Sequence, residues 1–262
     1  MIPESRLRIV NPKTSEGECV VYWMISTRRS TWNHGLDHSI NLAKERNLPL
    51  VVVEPLAIAH EYANDRIHAF VIQGMMDNKK AFEDSPVTYV PYVETKHNEA
   101  RGLLEKWMEH AAVLVIDDFP VYFPRRVIEI ASEIDKCEVH CVDSNGFLAM
   151  DQGREFTTAY SFRRHVHKTI LQSMSEFPAP DPLSSTHGMK KFPVEKVESI
   201  FKESDTPITP YEFIWRICEG TDVGQKALSV LKIDHEVPPV PHTQGGSVSA
   251  RALSLIHISE PT

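Results

Sequence analysis

The residues able to do chemistry fall into a few short constellations. Arg28 and Arg29 follow an apolar run and precede Asn33. Two guanidiniums there could meet an anionic ligand at the start of a helix, or pair with nearby carboxylates in a solvated turn. Glu54 and the pair Asp117-Asp118 each close another apolar run. Two adjacent carboxylates could hold a metal or a ribose. Equally, one could cap the following turn while the other pairs with an arginine. Ser144, Asn145 and Gly146 follow a fifth run. His34 and His38 lie four apart, a spacing that puts both on one helix face as in a metal pair, but no glutamate stands beside His34 and no third ligand can be assigned. His165 and His167, two apart, point to different helix faces.

Absent motifs narrow the chemistry. The loop after the first apolar run has no glycine, so it is neither a dinucleotide turn nor a phosphate loop. No GxSxG elbow occurs, which disfavours an α/β-hydrolase. The four cysteines, Cys19, Cys137, Cys141 and Cys218, form no CxxC pair and read as reduced, mostly buried thiols. Trp23, Trp32, Trp107 and Trp215 read as core aromatics.

The elements that must carry these residues are legible. Five apolar runs, 19–25, 50–54, 87–93, 112–117 and 138–143, read as strands buried on both faces of a parallel sheet. Helical patterns fall between them. Ser30 precedes Leu36, Ile40 and Ala43; Asn64 or Asp65 precedes Ile67, Phe70, Val71, Gly74, Met75 and Phe82; Asn98 precedes Leu103, Leu104 and Trp107; Pro124 precedes Val127, Ile130, Ala131 and Ile134. The alternation predicts an α/β fold with a five-stranded, parallel, Rossmann-like doubly wound sheet, followed by a helical linker segment. Its ligand crevice lies outside the carboxyl ends of the strands.

Beyond residue 143 the pattern changes. Residues 155–171 read as a helix, and with Arg154 they are locally basic: Arg163, Arg164, His165, His167 and Lys168, interleaved with Phe156, Tyr160 and Phe162. That face could contact phosphates or pack against another domain. A proline-rich break (177–186), helices at 194–202 and 210–231 and an extended stretch (237–246) follow.

The chain has 262 residues, 28 Lys+Arg against 36 Asp+Glu, a formal net charge of −8 and 42% hydrophobic residues. That content supports a packed core and excludes global disorder. The acidic balance argues against nucleic-acid binding by bulk charge while leaving a local basic patch open. With no apolar run of membrane-spanning length and no signal-peptide pattern, the sequence reads as soluble and cytoplasmic.

Several segments carry a family resemblance. VVYWMISTRRSTWNHGLDHSINLAKERNLPLVVV (20–53) resembles the opening of a DNA photolyase, nearest the class II group. RIHAFVIQGM (66–75) is similar to that family's RHxFMLxGL helix. DDFPVYFPRRV (117–127) and VDSNGFLAM (142–150) fall where the family has its fourth strand end and its VDxxxxVP segment, TTAYSFRRHVHKTI (157–170) resembles the helix leaving the α/β domain, and IDHEVPPVPHTQGGSVSAR (233–251) the linker entering the flavin-binding domain. The resemblance implies a deoxyribodipyrimidine photo-lyase, in which excited reduced FAD gives an electron to a cyclobutane pyrimidine dimer in damaged DNA. It also implies an antenna chromophore such as a deazaflavin, held in the α/β domain. The positions it assigns to that antenna are Met24, Arg28, Asn33, Glu54, Asp117, Phe119 and Asn145, and it assigns no catalytic residue and no metal.

The resulting division is residues 1–150 as the antenna domain and 151–252 as interdomain helices and linker leading to an FAD-binding helical domain outside this chain. Residues 253–262 (LSLIHISEPT) resemble a translated sequencing adaptor. The expected protein is the N-terminal part of a monomeric photolyase, inactive by itself. A cryptochrome-like photoreceptor and a stand-alone nucleotide-binding α/β module are the competing readings.

Overall fold

A computed structural model describes residues 2–204 and 228–259. Its centre is a six-stranded sheet of β1 (Leu7–Asn11), β2 (Cys19–Trp23), β3 (Leu50–Leu56), β4 (Thr88–Val93), β5 (Ala111–Asp117) and β6 (Glu138–Val142), in the order β1-β6-β5-β2-β3-β4. All five expected strands are present and mutually parallel. Their residues are almost wholly buried, as uninterrupted Val/Ile/Leu runs require. The expectation of a five-stranded sheet is corrected by β1, which pairs antiparallel with β6 at the edge. It carries Arg8 and Asn11 and leaves Ile9 exposed, so it lacks the apolar run that marked the others.

The helices are α1 (His34–Glu45), α2 (Asp65–Glu83), α3 (Leu103–His110), α4 (Tyr122–Ile134), α5 (Ala159–Ser173), α6 (Val194–Glu203) and α7 (Ser247–Ser259). They form layers on the two faces of the sheet. One face packs Val21, Trp23 and Leu114 against Trp107 of α3, Ala131 of α4, and Ile200 and Phe201 of α6. The other packs Val20, Tyr22 and Val115 against Leu36 and Ile40 of α1 and Phe82 of α2. The core therefore extends past residue 150, because Phe192 and α6 cover the sheet beside α3. Helix α7 crosses the 252/253 boundary drawn from the sequence.

Several local expectations shift. Asn33, not Ser30, caps α1, accepting the Leu36 N–H at 3.0 Å. Asn64 caps α2 through the Ile67 N–H. The covered stripe of α2 runs through His68, Ala69, Ile72, Met75, Asn78 and Phe82, while Ile67 and Phe70 face solvent. Asn78 in that stripe has inward partners in Glu54 and the Arg28 carbonyl, which an apolar pattern cannot register. Trp32 is 43% exposed and in the left-handed region (φ 50°), edge-on to Phe177, so it is not a core residue. The expected basic helix begins at Ala159, capped by Thr158. Most of the expected helix over 210–231, with Trp215 and Cys218, lies outside the described residues.

Candidate functional site

Strand order reverses at β2: β3 and β4 lie on one side, β5 and β6 on the other. An open α/β sheet presents its ligand crevice at the carboxyl ends of the strands flanking such a switch. Here protein groups fill that point. Asp117, at the end of β5, is 1% exposed and accepts the backbone N–H groups of Ile25, Ser26 and Thr27 at 3.0, 2.7 and 2.9 Å. Its other oxygen takes the Tyr22 hydroxyl at 2.6 Å. Burial pushes the Asp117 carboxyl up, against the downward pull of those four donors. The loop after β2 thus wraps around a carboxylate of its own chain.

Asn33 completes this arrangement. Fully buried, it donates to the carbonyls of Thr27 and Arg29 at 3.0 and 2.9 Å, and its oxygen caps α1. Tyr22 sits between the two, 3.2 Å from the Asn33 oxygen. Asp118, next to Asp117, pairs with Arg8 at 2.9 Å. Of the second reading of the acidic pair, the arginine partner is present in Arg8, but Asp117 holds the loop after β2 instead of capping the turn that follows it.

A second buried group lies at the end of β3. Glu54 is fully buried and accepts from Arg28 at 3.2 Å, Asn78 at 2.9 Å and the Tyr89 hydroxyl at 2.6 Å. Arg28 also donates to the carbonyls of Ile25 and Pro55 at 3.1 and 2.6 Å. The guanidinium therefore bridges the β2 loop to the β3 end, while Met24 is buried in the core on the α1 side of the sheet.

The third group belongs to the end of β6. Asn145 donates to Asp143 and to the Asp118 carbonyl at 2.7 and 2.8 Å. Arg6 reaches across from the segment before β1 and donates to the carbonyls of Asn145, Gly146 and Phe147 at 3.1, 3.0 and 3.0 Å. Phe119 is half-buried beside this turn.

The seven antenna positions are thus distributed over one hydrogen-bonded rim crossing the ends of β3, β2, β5 and β6. The polar heads of Asn33, Glu54 and Asp117 point into protein. The open volume lies to one side: a cleft of about 1160 Å³ between the β6 end, β1, α4 and α5, lined among others by Arg8, Asp118, Arg125, Phe147, Met150 and Gln172. Phe119 and Asn145 neighbour that lining; Met24, Arg28 and Glu54 do not. Sequence reasoning missed Tyr22, Asn78, Tyr89 and Arg6. Tyr22 and Tyr89 look like core aromatics in their strands, and nothing local marks Asn78 or Arg6 for burial.

Among the described residues, one member of each histidine pair singled out by spacing finds another partner. His38 Nε2 lies 2.8 Å from His140 Nδ1, and His140 in turn meets Glu138 at 2.8 Å. No group of three or more metal-type side chains occurs among the described residues. His34 and His38 are each pushed down to about 4, chiefly by burial, which keeps them neutral. Among the described residues, no helix is long and apolar enough to cross a membrane.

No family model matches the sequence. The chain is 32% identical over 178 residues to a deoxyribodipyrimidine photo-lyase from Methanothermobacter thermautotrophicus, a match covering 66% of this chain and 39% of that protein. It therefore spans well under half the length of that relative. Among solved structures, a bacterial class III photolyase from Agrobacterium tumefaciens aligns at TM-score 0.46 and 13% identity, covering 71% of this chain and 39% of that one. This sequence kinship supports a place for the chain in the photolyase family.

Proposed function

We propose that this chain is the α/β part of a light-dependent DNA repair enzyme that splits cyclobutane pyrimidine dimers, nearest the class II photolyases. The observation that carries this reading is the 32% identity to a deoxyribodipyrimidine photo-lyase over 178 residues. In this reading the enzyme acts as a cytoplasmic monomer on damaged DNA. Reduced FAD supplies the electron. In this reading residues 1–262 alone neither repair DNA nor retain flavin.

The α/β part holds the antenna. At the β2/β5 switch Asp117 already accepts the loop amides, so in this reading the ring lies to one side of that point. The cleft beside β6 has the volume for it, with Phe147 and Met150 to pack a ring and Arg8 and Arg125 to meet its polar edge. When bound, such a chromophore supplies light absorption. The role of this chain's residues is to orient it, with Arg6 and Asn145 keeping the turn after β6 in place.

The test is repair of a dimer-containing oligonucleotide under blue light by the complete reading frame that includes this chain. Restored pyrimidines are expected. Bound flavin with no repair would instead favour a cryptochrome-like photoreceptor. Tight ATP binding by residues 1–262, without deazaflavin binding, would favour the nucleotide-binding module.

A further inference from the structure

Helix α5 has a face that neither the sheet nor the cleft uses. Its fifteen residues contain no Asp or Glu. Tyr160, Arg163, Arg164, His167, Lys168 and Leu171 recur at the spacing of a single helical stripe, and all are exposed. On the opposite side His165, Val166, Thr169, Ile170 and Ser173 are half-buried, so α5 is anchored by one face and presents the other. His165 fastens it to Gln152 at 2.7 Å. Among the described residues, no carboxylate pairs with Arg163, Arg164 or Lys168. This accumulation stands on a chain whose formal net charge is −8, so bulk composition does not account for it.

The aromatic neighbours sharpen its chemistry. The Arg164 guanidinium lies 5.9 Å from the Tyr160 ring centroid, and Arg154, just before the helix, 4.4 Å from that of Phe156. Rings under guanidiniums limit their freedom and leave N–H edges outward. Arg163 or Arg164 and the next turn's Lys168 are separated by roughly 6–8 Å along the axis, which suits successive phosphates of one strand. The exposed Tyr160 hydroxyl adds a neutral donor of the kind that contacts phosphate oxygens.

We propose that the exposed face of α5, carrying Tyr160, Arg163, Arg164, His167 and Lys168, contacts the phosphate backbone of duplex DNA. The preference for DNA over another polyanion rests on the photolyase reading. The contact is sequence-independent, positioning the α/β part on the duplex without reading bases.

The experiment uses residues 1–262 in the dark with an undamaged, fluorescently labelled 20-base-pair duplex, followed by anisotropy. Three phosphate contacts predict that affinity falls about 40-fold between 50 and 200 mM salt. Replacing Arg163, Arg164 and Lys168 together by Gln should remove most of that dependence. Replacing Lys80, Lys191 and Lys202 by Gln, the same charge change elsewhere, should leave it within about twofold. Should the α5 triple variant misfold by circular dichroism, R164Q and K168Q singly should each lower the salt slope by about one. Absence of duplex binding at 50 mM salt would overturn the proposal, as would an equal loss in the control variant, unchanged slopes in the single variants, or competition by polyglutamate as effective as by DNA. The last result would mark an acidic protein surface as the partner. Because the assay needs no light, flavin or lesion, failure of repair leaves this proposal intact. Repair that proceeds while the duplex assay fails removes this proposal alone.

Discussion

The Tyr22 hydroxyl meets Asp117 Oδ1 at 2.6 Å across 95 residues of chain, at the point where strand order reverses. The bond joins β2 to the end of β5, and the other carboxylate oxygen gathers three amides of the loop after β2. The sequence element that looks most like a ligand site is thereby an internal fastening.

Asp117→Ala should destabilise the fold by about 3 kcal/mol, since three buried amides and one hydroxyl lose their acceptor. Asp117→Asn should cost less, because one carbonyl oxygen remains. Tyr22→Phe should cost about 1 kcal/mol. Urea unfolding followed by tryptophan fluorescence would check the order. An Asp117→Ala variant as stable as the parent would contradict the arrangement.

Arg28 and Glu54 should behave as a coupled pair. Arg28→Ala leaves Glu54 buried with two neutral donors, Asn78 and Tyr89, and should cost about 3 kcal/mol. Adding Glu54→Gln removes the stranded charge and should recover part of that loss. A double-mutant cycle measures the coupling; additive losses would mean the ion pair contributes nothing specific.

Acid should weaken the fold before its carboxylates titrate. His34 and His38 are depressed to about 4, so the unfolded chain binds protons more tightly than the folded one. The stability they contribute is fully present above the ordinary histidine value and is lost as pH falls from about 6.5 towards 4. For buried His34 the slope approaches about 1.4 kcal/mol per pH unit. His34→Phe should flatten the curve of unfolding free energy against pH in this window, and an unchanged curve would exclude His34 as its source.

The described thiols should be inert in the folded state. Cys19, Cys137 and Cys141 are buried, and burial pushes Cys137 and Cys141 up to about 12 and Cys19 higher still. Peptide mapping after brief exposure to a thiol reagent at neutral pH should find these three unmodified, and modified once the chain is unfolded in guanidinium.

Trp32 should be replaceable with a gain. Its left-handed backbone costs about 1–2 kcal/mol for a residue with a Cβ, whereas asparagine tolerates it better. The exposed edge contact with Phe177 returns less than that. Trp32→Asn is expected to raise the melting temperature by a few degrees, read by differential scanning calorimetry. A lower value would show that the aromatic contact outweighs the strain.

By itself the sequence determined the five parallel strands, the helices alternating with them, and the basic helix after residue 155. Each is a local matter: uninterrupted β-branched runs can only be satisfied between covered faces, and a polar cap before a periodic run marks a helix start. Family kinship was legible in the same way, from short ordered segments. Only the tertiary structure decided what Asp117, Asn33 and Glu54 do, because their partners lie 91, 6 and 35 residues away and no spacing rule connects them. It also decided that β1 joins the sheet and that α6 completes the core, since an edge strand with mixed polarity acquires meaning only beside β6. A carboxylate at a strand end looks the same in sequence whether it faces a ligand or its own backbone; the difference is made by which loop folds over it.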